Sequence, residues 1–267
     1  MTFKILDFNT ALVTGGAGGI GYAISEYFLS VGKQVIIVGR TESKLKDAAS
    51  KLGKGTKYYV LDTGDTKSIS SFIKKTLADH PDLDCLVNNA GVQRPLDVNE
   101  MKPDEFLEKA DQEISINISG PMHLTLGLLP HFKSKKGAVI MNVSSVLGYL
   151  PSSIINPVYN GTKAWTHFWS MNLRTQLQKD GGSVRVVEIA PPTVSTDLHR
   201  EREDPDDNKK EKNQAALGVG EFMESITKQW EEDREVVSAG SGQGLTDRWY
   251  GEFGEEYGKA AEEFVGK

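Results

Sequence analysis

Thr10-Ala11-Leu12-Val13-Thr14-Gly15-Gly16-Ala17-Gly18-Gly19-Ile20-Gly21 is a short apolar strand running straight into a cluster of glycines, and an amphipathic stretch from Tyr22 to about Ser30 follows it. A strand, a glycine turn and a helix in that order carry a physical meaning that glycines alone do not. Glycine lets the backbone approach a pyrophosphate closely, and the helix N-terminus behind it offers free N–H groups and the positive end of a dipole. The stretch predicts the first βα unit of a dinucleotide-binding sheet.

Reading outward, the pattern repeats. Gln34 to Val38 reads as a second strand, followed by Gly39-Arg40-Thr41. A chain that binds a ribose 2′-hydroxyl places a carboxylate near this point. Here glycine stands there, and the guanidinium of Arg40 suits a 2′-phosphate through charge-assisted bonds. That favours NADP(H). Lys57 to Leu61 reads as a strand ending at Asp62-Thr63, Ser68 to Ala78 as a helix, and Asp84 to Val87 as a strand ending at Asn88-Asn89-Ala90-Gly91. Pro103 to about Ile118 and Pro121 to Phe132 read as two helices, each with proline in the first turn. Ala138 to Val143 is a strand ending at Ser144-Ser145, Pro157 to Lys179 a long helix, and Val184 to Ile189 a strand ending at Ala190-Pro191-Pro192. Such alternation implies a single α/β domain of Rossmann type over 1–267, a doubly wound parallel sheet with helices on both faces. Ligands collect at the carboxyl ends of such strands. Gly15, Arg40, Asp62, Asn89, Ser145 and Pro191 all fall at those ends.

The long helix carries Val158-Tyr159-Asn160-Gly161-Thr162-Lys163. Tyrosine and lysine four residues apart share one helix face. An ammonium beside a phenol favours the phenolate and makes the ring oxygen usable for proton transfer. A serine hydroxyl at the same point, from Ser145 or its neighbour Ser144, would hydrogen-bond a substrate oxygen as charge develops on it. Val146, Leu147, Tyr149, Pro192 and Val194 suggest an apolar substrate pocket.

Composition sets limits. Hydrophobic content of 38% and charged content of 25% over 267 residues describe an ordinary globular chain. A net charge of −6 argues against a nucleic-acid binder. The lone cysteine, Cys85, lies in an apolar run and reads as a buried, inert thiol; the five histidines show no metal-ligand spacing. No apolar run reaches membrane-span length and no secretion signal is visible, so a cytoplasmic setting is expected. His199 to Lys212 is almost all charged or amide. It reads either as a solvated loop or, within 196–220, as a mobile substrate lid. Gly220 to Glu235 reads as an amphipathic helix, and 245–267 as a variable acidic and aromatic segment.

Taken in order, these motifs resemble the short-chain dehydrogenase/reductase family over roughly residues 8 to 198, and Ala190 to Thr196 looks most like its DltE-like oxidoreductase subgroup. The resemblance implies a tetrad of Asn117, Ser145, Tyr159 and Lys163. Tyr159 would exchange the proton, Lys163 would lower the phenol and hold the nicotinamide ribose, Ser145 would orient the carbonyl, and Asn117 would position a relay water. It implies NADP(H) contacts from Gly15, Gly16, Gly19, Ile20, Gly21, Arg40, Asp62, Thr63, Asn89, Ala90, Gly91, Lys163, Pro191, Val194 and Thr196. The implied activity is reduction of a ketone or aldehyde to an alcohol, or the reverse. An NAD(H)-linked alcohol dehydrogenase and a non-catalytic dinucleotide-binding sensor are the alternatives. The chain departs from the family at Pro191-Pro192, where Pro-Gly is usual, at the Ser145-to-Tyr159 interval, one residue longer than usual, and at the C-terminus, which lacks the usual Asp-Gly-Gly ending. That last departure puts a family-type tetramer in doubt and leaves a homodimer open.

Overall fold

The computed structural model describes residues 3–266. Seven parallel strands form one sheet in the order β3-β2-β1-β4-β5-β6-β7. They are β1 (Thr10–Thr14), β2 (Gln34–Gly39), β3 (Lys57–Val60), β4 (Leu83–Asn88), β5 (Ala138–Val143), β6 (Val184–Ile189) and β7 (Val236–Val237). The connecting helices are α1 (Gly19–Ser30), α2 (Glu42–Leu52), α3 (Thr66–Asp79), α4 (Pro103–Ile114), α5 (Gly120–Lys133), α6 (Pro157–Lys179) and α7 (Val219–Glu231); α8 (Ser241–Val265) follows β7.

The strands are apolar at nearly every position because both faces are covered. Side chains alternate between two cores. Ala11, Val13, Val35, Ile37, Cys85, Val87, Val139 and Met141 pack with α1, α2 and α7 residues such as Phe28, Leu45, Phe222 and Trp230. Leu12, Ile36, Val38, Leu86, Ile140 and Val186 pack with Phe72, Leu128, Phe132 and Leu173 on the opposite face. Cys85 is fully buried, and burial pushes its thiol well above the usual range.

Strand order reverses between β1 and β4, so the crevice above their carboxyl ends is the topological switch point. Two polar ties hold that crevice in shape. Asn89 donates from Nδ2 to the Thr14 carbonyl at 2.8 Å, and Asn88 donates to Asn142 Oδ1 at 2.9 Å inside the sheet.

The structure differs from the sequence reading in three places. The helices expected at Pro103–Ile118 and Pro121–Phe132 are one continuous rod, joined by a π-helical turn over Ser115–Ser119. Pro121 has no N–H to give the carbonyl four residues back, that of Asn117, and the rod widens there instead of stopping. The helix expected to reach Glu235 ends at Glu231, and the chain then adds β7 beside β6. The 245–265 segment is the body of α8, which packs on α6; the Tyr257 hydroxyl and Thr175 Oγ1 hydrogen-bond at 2.8 Å.

Candidate active site

The glycine turn builds a cradle. Gly15 and Gly19 sit at φ +68° and +53°, the left-handed region that glycine adopts at least cost. Helix α1 begins at Gly19 with no side-chain cap and no acidic residue in its first turn, which leaves its first N–H groups free to face an anion. A Cβ on Gly18 would meet nothing within 4 Å. The cradle opens into a cavity of about 600 Å³, lined by Gly15, Gly18, Gly19, Ile20, Asn89, Ala90, Gly91, Ser145, Tyr159, Lys163, Pro191, Val194 and Thr196. These residues fit a dinucleotide, with its pyrophosphate at the head of α1.

Two glycines of the motif also permit close packing. A Cβ at Gly16 would lie 2.7 Å from Ile37 Cγ2, and one at Gly21 would overlap Asn89 Nδ2 and the Gly15 carbonyl. Neither lines the cavity; Gly16 lets the turn lie against β2, and Gly21 lets α1 lie against Asn89.

A smaller cleft of about 150 Å³ lies beside the first, lined by Gly39, Arg40, Asp62, Thr63, Ala90, Gly91 and Ile116. Asp62 Oδ1 accepts from the Gly64 N–H at 2.9 Å, which fixes the turn after β3. Gly120 lets the rod press against that turn, because a Cβ there would overlap the Thr63 carbonyl. Lys44, on the first turn of α2, lines the larger cavity next to Ala17 and Gly18. The sequence reading found one basic residue here. The lysine four residues beyond Arg40 was the available signal for a second.

At the other end of the cavity stand the chemical groups. Tyr159 and Lys163 are 5% exposed, and Lys163 Nζ lies 5.4 Å from the centre of the Tyr159 ring. Lys163 donates to the Val143 carbonyl at 2.8 Å, so its ammonium is tied to the end of β5. Burial pulls Lys163 down to about 8, against the raising influence of Glu113. Tyr159 departs from expectation. Burial pushes its phenol above the ordinary value, the Glu113 charge adds to the rise, and the Ser145 hydrogen bond opposes it. The phenol is therefore held neutral, with its proton available to give, where the sequence reading expected it lowered by Lys163.

The two serines separate cleanly. Ser144 gives its hydroxyl to buried Glu188 at 2.6 Å, and Glu188 in turn meets His167 Nδ1 at 2.9 Å. Ser145 turns toward Tyr159; its oxygen accepts from the Leu147 N–H at 3.1 Å, capping the short 3-10 turn Val146–Gly148. Asn117 lies on the π turn, 2% exposed. It accepts from the Val92 N–H at 3.0 Å and donates to the Val92 carbonyl at 2.9 Å and Thr162 Oγ1 at 3.1 Å, pinning the loop after β4 to α6.

The family model described as short chain dehydrogenase matches residues 9–207. The chain belongs to that family. It is 37% identical over 197 residues to the uncharacterized oxidoreductase DltE of Bacillus subtilis, covering 73% of this chain and 75% of the relative. It is 32% identical over 219 residues to the NADP-dependent 3-hydroxy acid dehydrogenase YdfG of Escherichia coli K12, covering 80% and 86%. Among solved structures, a short-chain dehydrogenase from Sphingobium yanoikuyae in complex with NADPH superimposes with a TM-score of 0.79 at 22% identity, covering 96% of each chain.

Two features of this short-chain dehydrogenase escaped the sequence reading. The pocket is not purely apolar. Val146, Leu147, Pro192 and Val194 line it as expected, but so do Gln93, Ser152, Ser153, Arg202 and Asn208. Tyr149 is absent from the lining and packs instead 4.0 Å, centre to centre, from His167. The charged segment after β6 is also more ordered than its composition implies. Arg202 pairs with Asp207 at 2.8 Å, Lys209 with Asp197 at 2.5 Å and Lys212 with Asp204 at 2.7 Å. Arg94 reaches across to Glu201 at 2.9 Å, and His199 meets Gln93 at 2.5 Å. The opposite charges that suggested a solvated run are one another's partners. No helix among the described residues is long and apolar enough to cross a membrane.

Proposed function

We propose that this chain is an NADP(H)-dependent oxidoreductase that interconverts a ketone or aldehyde and the corresponding alcohol. The observation that carries the reading is the convergence of Tyr159, Ser145 and Lys163 on the cavity that the glycine cradle opens into. A bound nicotinamide would supply or accept the hydride; the protein supplies geometry and electrostatics. Ser145 orients the substrate oxygen and donates to it as negative charge develops there. Tyr159 gives that oxygen its proton; burial keeps the phenol protonated beforehand, so release of the proton depends on the positive charge beside it. Lys163 places a positive charge near the phenol as the proton leaves, and holds the nicotinamide ribose. Asn117 fixes the loop after β4 against α6, keeping Gly91 and Lys163 in register.

Arg40 and Lys44 favour the 2′-phosphate of NADP(H). The Escherichia coli relative is named for its NADP dependence, which supports the same choice. The loop from Thr196 to Gly220 would act as a lid, since His199, Arg202 and Asn208 face the cavity. The test is oxidation of NADPH and of NADH with a panel of ketones and aldehydes, followed by absorbance. NADPH consumption dependent on a carbonyl compound, and faster than NADH consumption, is the expected result. Absence of turnover with tight NADPH binding would return the chain to the sensor reading.

A further inference from the structure

One buried acidic side chain has no part in that chemistry. Glu113, on the last turn of α4, is 0% exposed, and neither of its carboxyl oxygens has a hydrogen-bond partner. A buried, unpartnered carboxyl is costly, so a helix does not carry one on its inner face without compensation. The compensation is visible in what surrounds it. Arg94, from the loop after β4, and Lys163, from α6, both pull the carboxyl down, while burial and Glu201 from the loop after β6 push it up, to about 7 in balance. The backbone N–H of Arg94 also lowers it without forming a full hydrogen bond. Arg94 is already committed elsewhere: it pairs with Glu201, and it donates to the Lys109 carbonyl and Gln112 Oε1 at 3.3 and 3.4 Å. Lys163 has no carboxylate within ion-pair reach among the described residues and donates to a neutral carbonyl.

We infer that Glu113 is a positioning residue whose carboxylate serves as the buried counter-charge for the Lys163 ammonium. The inference rests on the functional reading above. Physically, Lys163 must stay charged in a place that burial makes hostile to charge. The Val143 carbonyl orients the ammonium but neutralises nothing. Glu113 stands four residues before Asn117, whose amide bonds Thr162 next to Lys163 and whose oxygen lies with Lys163 Nζ against Gly91; from there its charge raises the proton affinity of Lys163 and helps keep the proton on Tyr159. Two such groups titrate as a coupled pair, so the pH range over which Lys163 holds its charge depends on Glu113.

The experiment follows NADPH binding by fluorescence from pH 6 to 9.5, in the unaltered full chain and in Glu113→Gln, Glu113→Met and Glu113→Asp. Binding should weaken on the alkaline side as Lys163 loses its proton. In the Gln and Met variants that limb should move to lower pH by about one unit, the coupling at which two sites count as interacting. The Asp variant, which keeps the charge, should stay close to the unaltered chain. Met serves where Gln does not fold, since an apolar side chain suits an unpartnered buried position. A structural role alone would change the melting temperature and leave the limb in place. Limbs that superimpose for the unaltered chain and both neutral variants overturn the inference. Failure of the unaltered chain to bind NADPH at any pH overturns the reading of the site and this inference with it.

Discussion

Ser144 and Ser145 are adjacent and chemically identical, yet the structure gives them opposite consequences when each is replaced by alanine. For turnover Ser144→Ala should be mild, since Ser145 is the serine that meets the substrate oxygen. Ser144, however, donates to Glu188 at 2.6 Å, and both side chains are buried, Glu188 completely. A hydrogen bond to a charged group contributes about 1.5–3 kcal/mol, and its loss leaves Glu188 with His167 as its remaining side-chain partner in that network. For a domain of this size each kcal/mol moves the melting temperature by roughly 2–4 °C. Ser144→Ala should therefore lower it by about 3–12 °C. Activity at 20 °C should hold within about tenfold. Ser145→Ala should do the reverse. It removes the cap on Leu147 N–H, worth about 1 kcal/mol, so melting shifts by only roughly 2–4 °C. Turnover should fall by about a hundred- to a thousandfold, the effect of losing one donor to a developing oxyanion. Differential scanning fluorimetry and an NADPH-linked ketone assay on the same preparations read both axes. A Ser144 variant that loses turnover while melting normally, beside a Ser145 variant that keeps its turnover, would refute the assignment.

Tyr159→Phe should abolish turnover and leave NADPH affinity within about threefold, because it deletes a hydroxyl and little else; persistent turnover would remove Tyr159 from the chemistry. Arg40→Leu and Lys44→Leu should each weaken NADPH binding by about ten- to a hundredfold and leave NADH nearly unchanged, as expected for single charge-assisted contacts. Equal losses for both cofactors would place these residues away from the 2′-phosphate. Proteolysis between Arg200 and Lys212 should be slow in the unaltered chain and speed up in Glu201→Ala, which releases Arg94 from the loop. Slowing on addition of NADPH and a substrate analogue would support the lid, and an unchanged rate would leave a static loop.

The sequence by itself determined the fold and the cast of the site. Strand–glycine–helix at Thr10 to Ser30, and the alternation after it, leave one architecture, because an apolar strand covered on both faces and a 3.6-residue helical period are properties of the local chain. The spacing of Tyr159 and Lys163 likewise fixed that they share a helix face. Tertiary structure decided everything that depends on what stands opposite. That Gly16 and Gly21 also admit close packing shows only once Ile37 and Asn89 lie against them. The electrostatics of Tyr159 could not be read from Lys163 alone, since burial and Glu113, forty-six residues earlier in the chain, push the phenol up. Glu113 itself left one faint mark, an acid on the same helical stripe as buried Ala110 and Asn117. The charged run at 199–212 reads as solvated because composition does not show which charges pair; Arg202–Asp207 and Lys212–Asp204 close within it, while Arg94 and Gln93 reach Glu201 and His199 from a different crossover more than a hundred residues earlier. Local pattern carries periodicity and backbone freedom; desolvation and pairing belong to neighbours that only the folded chain brings together.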